Sequence, residues 1–162
     1  MVLTAIDNQS GVKELNYELD GKQETFVDPF TVDPDGFHDV SYFAIDQVNN
    51  RIDDEFFFVV DNIGPEIYHH FSMQNVGTAT MTDEEKGEME VPIYSPHNLL
   101  YLAATDAAVG TNKIYYTLDE GTERLYAGPI KSLTKGYHTM TVRAVDYLGN
   151  ETTSDVIPFM IK

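Results

Sequence analysis

The chain contains no cysteine and no tryptophan, and basic residues are scarce. The lack of cysteine excludes thiol catalysis, cysteine-ligated zinc and disulfides, so packing alone must hold the fold together. The 10 Lys and Arg against 27 Asp and Glu give a net charge of −17. This excess argues against nucleic acid and anionic membrane surfaces as partners, because binding to either depends on neutralising phosphates.

Long apolar runs and catalytic motifs are also missing. No run approaches the roughly 18–20 apolar residues that a membrane helix needs, so we expect no membrane insertion. There is no G-x-S-x-G motif around any serine. Carboxylates are abundant, but they fall in turns rather than facing each other across a cleft. We therefore expect a protein that is not an enzyme and has no organic cofactor.

What the chain does contain is an internal repeat. Residues 5–50 align with residues 104–150, at an offset of 99 up to Gly21 and of 100 after it. A repeat determines the architecture before any local argument, and here it predicts two modules, 1–64 and 65–162. The matched residues are turn and core types: Asp7, Tyr17, Leu19, Asp20, Pro29, Gly36, His38, Ala44, Asp46 and Asn50 correspond to Asp106, Tyr116, Leu118, Asp119, Pro129, Gly136, His138, Ala144, Asp146 and Asn150.

Alternation of apolar and polar residues, rich in β-branched and aromatic types, predicts an all-β fold with two β-sandwiches in tandem. In the first module the predicted strands include Val2–Ile6, Val12–Leu19, Phe37–Ile45 and Glu55–Val60. The last of these is apolar on both faces, so we expect it to be buried. In the second module, the polar and acidic residues 73–90 predict a long loop between the first two strands (the A–B loop).

The two modules differ at their beginnings. Residues 67–103 precede Ala104 in the second module, whereas only four residues precede Ala5 in the first. We therefore expect the first module to lack its opening strand and to have an unprotected sheet edge. Such an edge invites pairing with another chain, and a dimer through it is one expectation.

Two matching sets of oxygen-bearing side chains are candidate metal ligands: Asp7, Asp46 and Asn50, and Asp106, Asp146 and Asn150. Carboxylates and an amide at one pole of a sandwich could hold Ca²⁺, which takes six to eight oxygen ligands. The alternative is that each side chain caps its own turn by accepting hydrogen bonds from backbone N–H groups. His38 and His138 belong to different modules, so they cannot share a metal and are interpreted as packed residues.

The repeated pattern A-x-D-x(3)-G, then Y-x-L-D-x-G, then G-[FY]-H-x(5)-A-x-D and N, resembles bacterial immunoglobulin-like repeats. It is similar to the tandem repeats of the leptospiral outer-membrane surface family. The stretch 115–119 with 126–130 also resembles the C-terminal Ig-like domain of chitobiase and β-hexosaminidase. The chain departs from the pattern at Asn49, where the second copy has Gly149; because a left-handed turn accepts Asn, we expect the same turn.

The resemblance implies two Ig-like β-sandwiches in an extracytoplasmic protein, secreted, periplasmic or on the cell surface. It implies no catalytic residues. Partners would be neighbouring domains of a larger protein, and a host or matrix protein or a glycan. Three hypotheses follow: spacer or adhesion modules, a carbohydrate-binding accessory of a glycan-processing enzyme, or an adhesin segment stiffened by Ca²⁺.

Overall fold

The computed structural model describes residues 1–83 and 87–162, which divide into two compact units, Met1–Asn62 and Ile63–Lys162. Unit 1 contains β1 (Val12–Leu19), β2 (Lys22–Thr25), β3 (Gly36–Asp46) and β4 (Arg51–Val60). Unit 2 contains β5 (Glu66–Phe71), β6 (Gly77–Asp83), β7 (Gly87–Tyr94), β8 (Leu100–Thr105), β9 (Thr111–Leu118), β10 (Arg124–Leu125), β11 (Gly136–Asp146), β12 (Glu151–Thr153) and β13 (Ile157–Ile161). Nowhere in these ranges is there a helix long and apolar enough to span a membrane.

Unit 2 is a β-sandwich, which confirms the predicted all-β, Ig-like class. One sheet has the strand order β10-β9-β11-β13-β7-β6, with β12 beside β11, and the other pairs β5 with β8. The two sheets meet in a core to which β5, β8, β11 and β13 contribute, and apolar burial of this kind is the main favourable term in folding. The buried core residues are Phe71, Leu100, Leu102, Leu133, Met140, Val142, Phe159 and Ile161.

Unit 1 is a single antiparallel sheet with the order β2-β1-β3-β4. Asp20 and Gly21 turn β1 into β2 with φ angles of 50° and 81°, as the Asp-Gly sequence predicts for a two-residue hairpin. The predicted strand Val2–Ile6 is wrong: these residues lie outside every strand. Their sequence is strand-like, but no strand of unit 1 lies beside them to complete a ladder.

The prediction that Glu55–Val60 is buried is also wrong. β4 is the edge strand of its sheet, and Phe57 and Val59 are 58% and 40% exposed. Phe37 of β3, whose ring lies 5.5 Å from that of Phe57, is 66% exposed. An apolar run on both faces predicts burial only where another strand covers the edge and another layer covers the face.

The loop predicted for residues 73–90 is largely a hairpin. β6 and β7 pair antiparallel from Gly77 opposite Ile93 to Asp83 opposite Gly87, while residues 84–86 lie outside the described residues. Threonine at every second position suits a pleated strand because it is β-branched. Across the pair, the Thr80 hydroxyl lies 2.8 Å from Oε1 of Glu90. The polar composition of these residues lacks the apolar alternation by which a strand is predicted, so the sequence did not indicate this edge hairpin.

Candidate functional site

Asp7 stands at the end of the extended segment that opens unit 1, and it organises the turn that follows. Its Oδ1 accepts hydrogen bonds from the backbone N–H groups of Gln9, Ser10 and Gly11, at 3.0, 2.7 and 2.8 Å. These hydrogen bonds hold the pKa of Asp7 below its usual range, and the bond from Gly11 has the largest effect. Asp7 is therefore the cap of its own turn.

Asp46 ends β3 and caps the next turn of the same pole. Its Oδ1 accepts from the backbone N–H groups of Val48 and Asn50 at 2.9 and 2.8 Å, and its Oδ2 accepts from the Asn50 amide at 2.7 Å. Burial raises the pKa of Asp46, but the hydrogen bonds from Asn50, Ser10 and Val48 outweigh burial and lower it overall. The Ser10 hydroxyl lies 2.9 Å from Oδ2 of Asp46 and 3.2 Å from Oδ1 of Asp7, so it links the two caps.

Unit 2 repeats this arrangement. Oδ1 of Asp106 accepts from the N–H groups of residues 108–110, at 2.8 to 3.1 Å. Oδ1 of Asp146 accepts from those of residues 148–150, and its Oδ2 accepts from the Asn150 amide at 2.7 Å. A carboxylate oxygen of Asp106 lies within 4.8 Å of one of Asp146. Each pole therefore brings its predicted residues together.

These contacts explain the four aspartates among the six candidate ligands as turn caps, and the side-chain amides of Asn50 and Asn150 as donors to two of them. Each cap accepts hydrogen bonds from backbone N–H groups that would otherwise need water as their acceptor. Asp side chains commonly have this role in turns. The turn prediction at Asn49 is confirmed, since its φ is 67° where Gly149 has 96°. A Ca²⁺ role for the same carboxylates remains a prediction, because two carboxylates and an amide are oxygen donors of the kind Ca²⁺ takes.

A second repeated polar contact joins Asp20 to His38 and Asp119 to His138. In unit 1, Nδ1 of His38 lies 2.7 Å from Oδ2 of Asp20, and Nε2 lies 2.8 Å from the carbonyl oxygen of Pro34. In unit 2 the corresponding distances are 2.6 and 2.7 Å. Both histidines are buried, each with 5% of the residue exposed. Both ring nitrogens are engaged, so neither histidine is placed to take a proton from a substrate.

These Asp–His contacts were not predicted from the sequence, although all four residues match between the repeats. The information was available: a carboxylate and a histidine that recur together at similar separation are candidates for one contact. Each pair ties the β1–β2 or β9–β10 turn to the neighbouring long strand, because Oδ1 of the same Asp accepts from the N–H of Asp39 or Thr139.

Exposed aromatic rings are the remaining candidates for ligand contact. Tyr147, in the turn that follows β11, is 68% exposed. Tyr94 at the end of β7 is not a candidate, because its ring stacks on that of Phe71, with centroids 3.7 Å apart, and packs against the core. In unit 1 the stacked rings of Phe37 and Phe57 are exposed instead.

Comparison with known proteins assigns no family. No family model matches the chain, and no curated protein matches it. Among solved structures, that of the Clostridium thermocellum CbhA fibronectin(III)-like modules is similar over 98% of this chain and 82% of that chain, at 11% identity and a TM-score of 0.43. A likeness this distant carries no assignment of function.

Proposed function

We propose that the chain is a non-enzymatic pair of modules from a bacterial secreted or cell-surface protein, with a role in spacing, presentation or adhesion. The observation that supports this role is that the repeated polar residues make the same contacts in both units. Asp20–His38 and Asp119–His138 differ by only 0.1 Å in length, and Asp46–Asn50 and Asp146–Asn150 not at all. The same polar contacts hold the turns of both units, which is expected of structural modules. A catalytic site would instead need polar groups that face a substrate.

Composition supports the same proposal. Without cysteine the fold is independent of the redox conditions of its compartment, and a net charge of −17 favours solubility and disfavours unspecific association with acidic surfaces. The partners we propose are neighbouring domains of a larger parent protein, and a host or matrix protein or a glycan as the adhesive target.

The spacing role is tested by display on a bacterial surface. The chain is placed between a surface anchor and a reporter epitope, beside a Val142→Asp variant; Val142 is fully buried, so the charge unfolds unit 2. We expect antibody binding to the epitope to require the folded chain, with binding to intact cells several-fold lower for the variant. Equal binding would show that the fold is not needed for presentation and would contradict a spacer.

One observation favours a carbohydrate-binding accessory as the second candidate. Tyr147 presents an exposed ring at the turn after β11, and exposed flat rings are what stack on sugars. Affinity electrophoresis on common polysaccharides tests it. Retardation that is lost in Tyr147→Ala would support sugar binding, and equal mobility with and without polysaccharide would exclude it for the sugars used.

A further inference from the structure

Unit 2 has a cavity beside the Asp119–His138 contact. It is lined by β9, β10 and residues 127–134, and its volume is about 640 Å³. This volume lies within the range of roughly 300–1,000 Å³ that is usual for ligand sites. The lining is mixed, with apolar side chains such as Leu125 and polar ones such as Ser132 and Thr134. None of the turn-capping residues lines it, so the cavity is separate from the caps.

The cavity is positively charged although the chain as a whole is strongly acidic. Its charged lining residues are Arg124, Lys131 and Asp119, a net charge of +1 with histidine taken as neutral. In the described part of the chain, neither Arg124 nor Lys131 forms an ion pair. Asp119 differs, because its Oδ2 contacts His138 and its Oδ1 accepts from the N–H of Thr139. The two cations are therefore available to bind an anion, and we call this space the cationic cavity.

The matched positions of unit 1 show that the fold does not require these cations. Arg124 corresponds to Glu24, and Lys131 corresponds to Thr31. The cavity at the same place in unit 1 is lined by one basic and three acidic side chains, a net charge of −2. Both units have the Asp–His contact, so this contact does not account for the charge of the cationic cavity. The cations of unit 2 therefore need an explanation other than folding.

The cationic cavity is also larger than its counterpart. In unit 1 the same region holds two cavities of about 300 and 380 Å³, and Phe30 lines both of them. The Phe30 ring stacks on that of Tyr17, with centroids 4.9 Å apart. In unit 2 the counterpart of Phe30 is Ile130, whose smaller side chain leaves one continuous space. Exchange of an aromatic for an aliphatic residue thus accompanies the change of charge.

The backbone at Ser132, which lines the cationic cavity, is a further difference between the units. Its φ of 61° lies in the left-handed region, which few residues other than Gly, Asn and Asp adopt. In the described residues of unit 1, its counterpart Val32 has no such φ. Strained backbone persists only where its surroundings enforce it, and it is concentrated at functional sites. Strain at this position therefore occurs in the unit that has the cations.

We propose that the cationic cavity binds a saccharide that carries a single carboxylate, such as a uronic acid unit. Arg124 and Lys131 hold the carboxylate, because a guanidinium matches its two oxygens and an ammonium adds a second positive charge. Ser132 and Thr134 offer hydroxyl groups to those of the sugar, and Leu125, which is 55% exposed, offers an apolar surface to its ring. This inference rests on the proposed function, since it specifies the glycan that an adhesive module would bind.

The charge of the rest of the chain narrows the class of ligand. A net charge of −17 repels a densely charged polyanion such as a sulfated polysaccharide, because many of its charges would lie beyond the two cations. Salt screens charges that are more than about 8–10 Å apart, so an isolated carboxylate in the cavity is affected mainly by the cations beside it. A saccharide with one carboxylate therefore fits the cationic cavity better than a polyanion does.

Titration of the chain with sodium glucuronate, followed by NMR of the backbone amides, tests the proposal. We expect saturable shifts at Leu125, Lys131 and Ser132 at millimolar glucuronate, and none at these residues with glucose or acetate at the same concentration. Equal shifts with glucose would mean that the cations are not used. Equal shifts with acetate would mean that the saccharide is not recognised. Either result, or no saturable shift with glucuronate at tens of millimolar, would overturn the proposal.

A matched pair of variants assigns the binding to the cationic cavity. The first combines Arg124→Glu with Lys131→Thr and so gives the cavity the residues of unit 1. The control combines Lys113→Glu with Lys162→Thr, which changes the net charge equally at exposed positions outside the cavity. We expect the Kd for glucuronate to rise about tenfold or more in the first variant and to change less than about twofold in the control. An equal Kd in both variants would contradict the site.

Failure of this proposal is distinguishable from failure of the proposed function. The titration uses the chain in solution and does not depend on its presentation at a cell surface. Absence of glucuronate binding would exclude this ligand and leave the spacing role to the display experiment. Loss of the spacing role in that experiment would likewise leave the measured Kd for glucuronate unchanged.

Discussion

His38 lies between two acceptors, the Asp20 carboxylate at 2.7 Å and the Pro34 carbonyl at 2.8 Å. An imidazole can donate from both nitrogens only when it is protonated, so this geometry selects the imidazolium. The carbonyl of Pro34 and the carboxylate of Asp20 raise the pKa of His38, while the hydrogen bond from His38 lowers the pKa of Asp20. Each partner therefore stabilises the charged form of the other.

This pair predicts a pH-dependent contribution to stability. The pKa of His38 is raised above its unfolded value of about 6.5, so its stabilisation is complete below about pH 6.5 and is lost as the pH rises through the folded pKa. The pKa of Asp20 is lowered, so its share is present above about pH 3.9 and is lost as the pH falls through the folded value. We expect the melting temperature to fall from pH 6 to pH 8.5 more steeply in the wild-type chain than in His38→Gln. Parallel curves would contradict a protonated His38.

The caps predict that Asp46 matters far more than a carboxylate elsewhere on the surface. Asp46→Ala leaves the N–H groups of Val48 and Asn50 without their acceptor, so we expect the melting temperature to fall by roughly 5–10 °C. The matched control is Asp28→Ala, an exposed position, for which we expect a change of about 2 °C or less. Thermal melts followed by circular dichroism compare the two variants. A similar fall in melting temperature for both would contradict the capping role of Asp46.

The turn at Asn49 predicts a graded response to substitution. Its φ of 67° lies in the left-handed region, where Asn and Gly are tolerated and β-branched residues are strained. Asn49→Gly should leave the free energy of unfolding nearly unchanged, as Gly149 occupies the same place in unit 2. Asn49→Val should cost about 1–2 kcal/mol. Urea unfolding measures both, and equal stability of the two variants would refute the strain argument.

Prediction from sequence succeeded where the residue types themselves determine the local structure. It failed where the structure of a segment depends on the strands that lie beside it. The Asp20-Gly21 turn, β1 and the left-handed Asn49 follow from residue types alone. Residues 2–6 have strand chemistry but no adjacent strand in unit 1, and a strand exists only as part of a ladder. The same dependence on neighbours explains why Phe57 is exposed despite its apolar run. The Asp20–His38 contact is long-range, so only comparison of the two repeats could have indicated it.

The calcium hypothesis has its own measurement. If Asp7, Asp46, Asp106 and Asp146 bind Ca²⁺, millimolar Ca²⁺ but not Mg²⁺ raises the melting temperature by several degrees, through linkage of binding to folding. If they act only as caps, the two ions give the same melting curve. We expect the second result, because both oxygens of Asp46 already accept hydrogen bonds. A Ca²⁺-specific rise that disappears in Asp46→Asn would make these residues ligands.

The unequal burial of matched residues in the two units predicts unequal costs for one matched substitution. Phe159 is fully buried and touches both Phe71 and His138, so Phe159→Ala should cost about 3–5 kcal/mol. Its counterpart Phe58 stacks on His38 at 5.2 Å but is only partly buried, and we expect Phe58→Ala to cost about half as much. Urea unfolding with fluorescence or NMR probes in each unit measures both values. Equal costs would mean that Phe58 is as fully buried in solution as Phe159, and would contradict the partial exposure of this residue on the edge strand β4.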